Sequence, residues 1–289
     1  MERCEDFFNF RQNINQVNLR TMNSGSFKSR LFVGLIMAGI ALFSYFSKMQ
    51  VNPITGKSQA VTMTPQQEIA TGLQSAPQMA AEFGGLYTGQ KEQDLVKTVG
   101  MKVVTNSDAA KSEYQFNFHL LADPETINAF ALPGGQIFIT VGLLKRLKTE
   151  DQLAGVLGHE IGHVIGRHSA QQMAKDELTS GLLGAAVAAT SDPNNPNNSG
   201  AIAQYVGKMI TMKYGRSDEL EADKFGIKYM IESGYEPEEM IEVMEILKAA
   251  SGGADRPSEF QSTHPDPDHR IIEIKKALEQ YKKTGKLEW

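Results

Sequence analysis

The sequence predicts an α+β fold, mainly helical, with a small β-sheet beside one central helix. Three observations carry this. Capped segments with apolar residues at helical spacing recur along most of the chain. Only two segments, 114–120 and 136–141, read as strands. The central helix opens on Thr149 and is apolar along one side. At 289 residues, with 41% apolar content, there is ample material for one large domain or two small ones. The net charge of -5 is too small, and of the wrong sign, for a nucleic-acid partner. The single cysteine, Cys4, excludes an internal disulfide and a Cys-based metal cluster. A metal must therefore be held by His, Asp or Glu, and there are six histidines.

Taken in order, residues 1–30 are a polar segment that reads as poorly ordered. Leu31 to Phe46 is an apolar run, LFVGLIMAGIALFSYF, a little short for a membrane span. Lys28, Arg30 and Lys48 flank it and can carry their charges to the headgroups. Three readings compete: a membrane anchor, a cleaved signal peptide and a buried core helix. The leader is long for a signal peptide, Ser47-Lys48-Met49 is no small-residue cleavage site, and the run lacks a polar face. A single-pass signal anchor over 31–47 is preferred. Arg11, Arg20, Lys28 and Arg30 precede it and only Lys48 and Lys57 follow. The positive-inside rule then puts the N-terminus in the cytoplasm and the rest on the extracytoplasmic, periplasmic side. Residues 48–89 are expected to form a juxtamembrane helical segment and 90–285 the main domain.

Thr64-Pro65-Gln66-Gln67 supplies an N-cap, a first-turn proline and a capping box for a helix to about Phe83, stopped by Gly84-Gly85. A second helix covers 90–104. Tyr114, Phe116, Phe118 and Leu120 alternate with polar residues as in a half-buried strand, and QIFITV (136–141) is another. Thr149, with a capping box to Gln152, opens a helix expected to run to Lys175. Residues 180–200 turn small and apolar, then become the polar loop SDPNNPNNSG. Helices follow over 217–233, 237–250 and 270–283. No internal repeat is visible.

A helix advances about 100° per residue, so Leu153, Leu157, Ile161 and Val164 fall within about 80° of one another. His159 and His163 lie on the opposite side, about 40° apart. Two imidazoles at i, i+4 can both reach one ion, and Glu160 projects beside them. His159-Glu160-Ile161-Gly162-His163 is an HExxH motif on a capped amphipathic helix. The chemistry it serves is hydrolysis: zinc polarises a peptide carbonyl and lowers the pKa of its bound water to about 7, and Glu160 is the general base. This defines the expected class as a zincin-like metallopeptidase domain with one Zn2+ per chain. Gly155, Gly158, Gly162 and Gly166 form a second stripe. Each costs the helix about 1 kcal/mol relative to alanine, which suggests close approach of another backbone.

A third ligand is required. His168 is a candidate, but the three-histidine pattern places its last histidine at Ser169, and on a continuing helix His168 points about 180° from His159. It reads as a partly buried structural histidine. In Ser217-Asp218-Glu219-Leu220-Glu221-Ala222-Asp223, Glu221 shares a face with Lys224 and Lys228 and reads as a solvated salt-bridge face. Glu219 lies on another face, with Asp223 one turn later. Glu219 is the preferred ligand, and Asp223 would orient a histidine through its other ring nitrogen. All three acids as surface charges is the bland alternative.

Four segments then carry a resemblance: NAFALPGGQIFITVGLL at 128–144, LAGVLGHEIGHVIGRH at 153–168, SDELEADKFG at 217–226 and THPDPDHRI at 263–271. In that order they resemble the membrane-associated zinc peptidases of the HtpX, BepA and mitochondrial Oma type, gluzincins with HExxH and ExxxD motifs. The resemblance implies His159, His163 and Glu219 as metal ligands, with Asp223 closing the second motif as an orienting residue or proton donor. It implies that Asn128, Ala129, Phe130, Gly134 and Gly135 belong to an active-site edge strand that takes substrate backbone in extended form, a strand addition with little side-chain selectivity. It implies for His264 a fourth metal position that would hold the enzyme latent; a surface-loop histidine is the alternative. His119 and His269 read as structural or exposed. LLGAAVAA at 182–189 is too short to span a membrane; capping the active site and touching the membrane are its two readings.

The function expected is a membrane-anchored zinc metalloendopeptidase acting on unfolded or misassembled proteins. The alternative is a zinc-binding chaperone or latent sensor with low peptidase activity, gated by His264. A weaker third reading is a soluble secreted protease. Arg216 and Asn128 are candidates to stabilise the oxyanion. Substrate identity and oligomeric state are not encoded in any motif.

Overall fold

The structure, a computed structural model, describes residues 27–190, 214–250, 260 and 264–287. The expected polar N-terminal segment up to residue 26 and the SDPNNPNNSG loop lie outside these. The chain divides into two compact units, residues 1–47 with 175–211 and residues 48–174 with 212–289.

In the first unit, helix α1 (Phe27–Ser47) is long and apolar enough to cross a membrane, with a mean hydropathy of 1.7 over its best window. Its large side chains are exposed, among them Phe32, Leu35, Ile40 and Phe43. Residues 175–190 of helix α6 (His168–Thr190) belong to the same unit.

The second unit begins with a short antiparallel hairpin, β1 (Met49–Val51) and β2 (Ser58–Ala60), which no alternation in the sequence announces. Helix α2 (Pro65–Glu82) starts where its cap predicts: Thr64 Oγ1 accepts from Gln67 N–H, and Gln67 Oε1 from Thr64 N–H. Helix α3 (Gln90–Thr105) precedes a three-stranded sheet of β3 (Asn117–Leu121), β4 (Ala129–Leu132) and β5 (Gln136–Thr140). The order is β3-β5-β4, with β3 parallel and β4 antiparallel to β5, so β4 is an edge strand. Tyr114 and Phe116, expected within the first strand, precede it.

The sheet is covered on both faces, so β5 is buried along its whole length. Phe118, Leu120, Ile137 and Ile139 join Val99 and Val103 of α3 and the Leu153-Leu157-Ile161 stripe in the main core. Leu121 and Phe138 form a second cluster with Ala80, Phe83 and Phe130, under α2. Between β5 and the central helix lies one short turn, α4 (Val141–Leu144).

The central helix α5 covers Glu150–Gly166, not the longer span to Lys175. It ends because Arg167 adopts the left-handed conformation at φ 57°, which costs a residue with a Cβ about 1–2 kcal/mol. Buried contacts hold it there: Arg167 Nε donates to Glu68 Oε2 at 3.1 Å and Nη2 to the Met63 carbonyl at 2.5 Å. At the other end Thr149 caps α5 through Gln152 N–H, but Gln152 Oε1 accepts from Lys148 N–H, so the reciprocal half of the expected box is absent. Helix α7 (Arg216–Glu232) packs along α5, and α8 (Glu239–Ala249) and α9 (Pro267–Thr284) complete the unit.

The glycine stripe explains the closeness of α5 and α7 at two of its four positions. A Cβ on Gly158 would lie 3.2 Å from Gly226 Cα, and one on Gly162 2.9 Å from the Ala222 carbonyl oxygen. Gly155 faces methionine sulfurs instead, and Gly166 faces the imidazole of His168.

Candidate metal centre

The close α5–α7 packing brings the HExxH face of one helix against the acidic face of the other. His159, His163, Glu219 and His264 each offer a donor atom, all within 4.8 Å of one another and all buried. His159 Nε2 and His163 Nε2 are 3.0 Å apart. Glu219 Oε2 is 3.7 Å from the first and Oε1 is 3.5 Å from the second. His264 enters through Nδ1, 3.1 Å from Glu219 Oε1 and 3.3 Å from His159 Nε2. Phe260 stacks on the His264 ring at 4.3 Å, and its carbonyl accepts from His264 N–H. His264 is therefore a core residue, not a surface-loop one.

The outward nitrogens are tied as well. Asp223 Oδ1 lies 3.0 Å from His159 Nδ1. His168 Nδ1 lies 2.9 Å from His163 Nδ1, and His168 Nε2 is 3.6 Å from Glu221 Oε2, which also pairs with Lys57. Two expectations are corrected here. The left-handed turn at Arg167 restarts the helix, so His168 does not point away from the cluster; it is fully buried behind His163. Glu221 is not a freely solvated charge, its side chain being only 12% exposed.

Arg270, one turn into α9, went unread in the sequence. It is 2% exposed and clamps Asp223 through Nε (2.7 Å) and Nη2 (2.5 Å), and its Nη1 is 2.8 Å from Glu219 Oε2. The signal was present: Arg270 leads the i, i+4, i+8 row with Ile274 and Leu278 on the buried face of α9. A charge on an apolar stripe needs a buried partner. Tyr214 also lines the centre, its ring 4.4 Å from that of His163 and its hydroxyl on Ser169.

Burial and charge set the titration. Burial opposes ionisation of Glu219, but His264 and Arg270 outweigh it and lower its pKa. Asp223 is held well below the ordinary carboxylate range against burial, by Arg270 first and then His159. Burial raises Glu160, only partly countered by His264 and His159. Burial and the neighbouring imidazoles push His163 well below its usual value. His264 is raised in spite of burial, by Glu219 and Glu160. Burial pushes the Tyr214 phenol up to about 12.

The other singled-out residues fall into place around this centre. β4 lies against α5. Asn128 is buried at its start, its N–H donating to Thr140 Oγ1, while its own Oδ1 has no partner among the described residues. Ala129 and Phe130 lie in the strand. Gly134 and Gly135, at φ 80° and 105°, make the turn into β5. A Cβ on Gly134 would lie 2.3 Å from Ile69 Cα, so only glycine lets α2 dock there. Arg216 is exposed and salt-bridged to Asp266. His119 stacks on Phe138 and bonds Gln136, and His269 is exposed.

Residues 90–278 match the sequence profile of Peptidase family M48. The chain belongs to peptidase family M48. Among curated proteins it is 30% identical over 261 residues to the beta-barrel assembly-enhancing protease of Yersinia pestis, covering 88% of this chain and 52% of that one. It is 27% identical over 256 residues to the mitochondrial metalloendopeptidase OMA1 of Schizosaccharomyces pombe, covering 85% and 71%. The beta-barrel assembly-enhancing protease of Escherichia coli strain K12 is 28% identical over 238 residues, covering 79% and 47%. The chain thus spans about half the length of these bacterial relatives. The M48 match takes in β3 to β5, α5, α7, the segment before α9 and most of α9; His159 and His163 come from α5, Glu219 from α7 and His264 from that segment.

Proposed function

We propose that this chain is a membrane-anchored zinc metalloendopeptidase that cleaves unfolded or misassembled proteins. The observation that carries the reading is the convergence of two imidazole nitrogens and one carboxylate, with Glu160 beside them on the same helix. The donor set suits zinc: neutral imidazoles and a carboxylate are its usual nitrogen and oxygen ligands. The remaining nitrogens of both histidines are engaged by Asp223 and His168, as a bound metal requires of its supporting residues. Glu160 Oε1 is buried without a hydrogen-bond partner among the described residues, which fits a group awaiting a proton from a ligand.

When bound, zinc supplies Lewis-acid polarisation of the scissile carbonyl and a water of lowered pKa. The chain's own residues do the rest. His159, His163 and Glu219 would hold the ion. Glu160 accepts the proton of the attacking water and returns it to the leaving amine. Asp223, clamped by Arg270, fixes His159 with its proton on Nδ1. The free edge of β4 offers backbone hydrogen bonds to an extended substrate. α1 is the anchor, and the basic residues preceding it favour an extracytoplasmic catalytic unit.

Glu160→Gln tests the mechanism. Zinc content should stay at one per chain while cleavage of an unfolded protein such as casein disappears. Retained cleavage would remove Glu160 from the reaction.

A second reading is favoured by His264, whose Nδ1 occupies the cluster beside the three other donors. It describes a latent state in which His264 closes the site, so that the protein acts mainly as a zinc-binding sensor or chaperone. His264→Ala should then raise casein cleavage several-fold. An unchanged rate would sink the latch.

A further inference from the structure

Residues 175–190 of α6 pack against α1 with their backbones unusually close. A Cβ built on Gly34 would lie 2.7 Å from Ala189 Cβ and 2.8 Å from the Ala185 carbonyl oxygen, and one on Gly181 would lie 2.8 Å from Ala41 Cβ. Met37 faces Gly184 between them. The order is reversed along the two helices, so they run antiparallel. Small residues meeting small residues in this way are how helices associate inside a bilayer, where backbone approach replaces the hydrophobic effect.

The register sets depth. Leu182 lies level with Ile40 and Ala186 with Ile36, and Lys175 falls level with Ser47, where the apolar run of α1 gives way to Lys48. Lys175, Asp176 and Glu177 stand together at that level, and no charged residue follows through Thr190. The charge boundaries of two helices, set independently in sequence, thus coincide in space. From Leu178 to Thr190 a helix covers roughly 20 Å, about two thirds of a typical hydrocarbon thickness.

Two of the three hydroxyl side chains in this stretch carry their partners with them. Thr179 Oγ1 donates to the Lys175 carbonyl at 2.8 Å and Thr190 Oγ1 to the Ala186 carbonyl at 2.7 Å. Neither leaves a hydroxyl proton unsatisfied in lipid. α1 buries only the face that includes Gly34 and presents its large apolar side chains everywhere else.

We propose that residues 178–190 are intramembrane, lying antiparallel to α1 in the acyl interior of the bilayer, so that the membrane attachment is a helix pair and not a single span. The proposal rests on the reading of α1 as an anchor. It deepens that reading by naming a second lipid-facing element, one whose hydropathy falls short of a span by composition alone.

The test uses the full chain, with Cys4→Ser, reconstituted in phosphatidylcholine vesicles. Single cysteines at Ile36, Ile40, Leu182 and Ala186 carry a polarity-sensitive fluorophore, and exposed Glu125→Cys is the aqueous control. The register requires equal depth for the pairs 36/186 and 40/182, with matching blue shifts and matching quenching by deep doxyl lipids. Aqueous signals at 182 and 186 with buried signals at 36 and 40 overturn the proposal and leave the anchor standing. Aqueous signals at all four sites overturn both. Oxidation of an Ala41→Cys, Gly181→Cys chain tests the pairing itself: an intramolecular disulfide is expected, and its absence refutes the antiparallel register.

Discussion

Gly155 and Gly162 lie two turns apart on α5, and replacing each by alanine has opposite expected signs. The intrinsic gain is the same, up to about 1 kcal/mol of helix propensity. At Gly155 the added methyl would sit 3.5 Å from the sulfurs of Met230 and Met240, ordinary contact with flexible side chains. The gain should survive. At Gly162 it would sit 2.9 Å from the Ala222 carbonyl oxygen, 2.9 Å from Phe225 Cβ and 3.1 Å from Ala222 Cα. α7 must then recede by several tenths of an ångström. Overpacking of this kind costs about 1–3 kcal/mol, so against a gain of about 1 kcal/mol the net is a loss of up to about 2 kcal/mol. With about 2–4 °C per kcal/mol for a domain of this size, Gly155→Ala should raise the Tm by about 2–4 °C and Gly162→Ala lower it by up to about 8 °C. The helices that separate carry His159 and His163 on one side and Glu219 on the other, so zinc affinity should fall in Gly162→Ala alone. Thermal unfolding with and without chelator, together with zinc competition against a chromogenic chelator, reads both effects. Two shifts of the same sign would refute the account of how α5 meets α7.

Three further outcomes follow from the same geometry. His168→Phe removes the acceptor behind His163 and should weaken zinc binding about 10–100-fold, whereas His168→Asn, which keeps an acceptor, should recover most of it; equal loss in both would reduce His168 to a space-filler. Asp108 is held below its ordinary carboxylate value by hydrogen bonds from Lys111 and Lys228. That contribution is present above the unfolded value of 3.8 and is lost as pH falls through the folded one, so Asp108→Asn should show a small Tm deficit at pH 7 that shrinks at pH 3. A deficit unchanged between the two pH values would show that the ion pairs contribute nothing. Removing zinc with a chelator should abolish cleavage and lower the Tm, since the metal binds only the folded arrangement of the two helices.

Much of this was legible in the sequence because the relevant geometry is local. The i, i+4 spacing of His159 and His163, and the place of Glu160 between faces, are fixed by helix pitch alone. The caps at Thr64 and Thr149 and the alternation in 114–120 act within a turn or two of themselves, so the starts of α2 and α5 and the bounds of β3 fell within a few residues of expectation. The error at the far end of α5 has a tertiary cause. Arg167 turns left-handed without glycine because Glu68 and the Met63 carbonyl, distant in sequence, hold its guanidinium. That single turn decides whether His168 faces away from His163 or stands behind it.

By itself the sequence determined the class of chemistry: two histidines on one helical face with a glutamate beside them, an acidic helix to complete the set, and an apolar segment apt for a membrane. Only the tertiary structure decided which side chains converge. Glu219, His264 and Arg270 come from separate segments, and nothing in their local spacing says that an arginine on the apolar stripe of α9 clamps Asp223 or that His264 reaches the other donors. Those positions follow from how closely α5 and α7 can pack, which Gly158, Gly162, Ala222 and Gly226 set by what they lack. Local pitch determines the donors one helix can offer, and the approach of two backbones determines whether they meet.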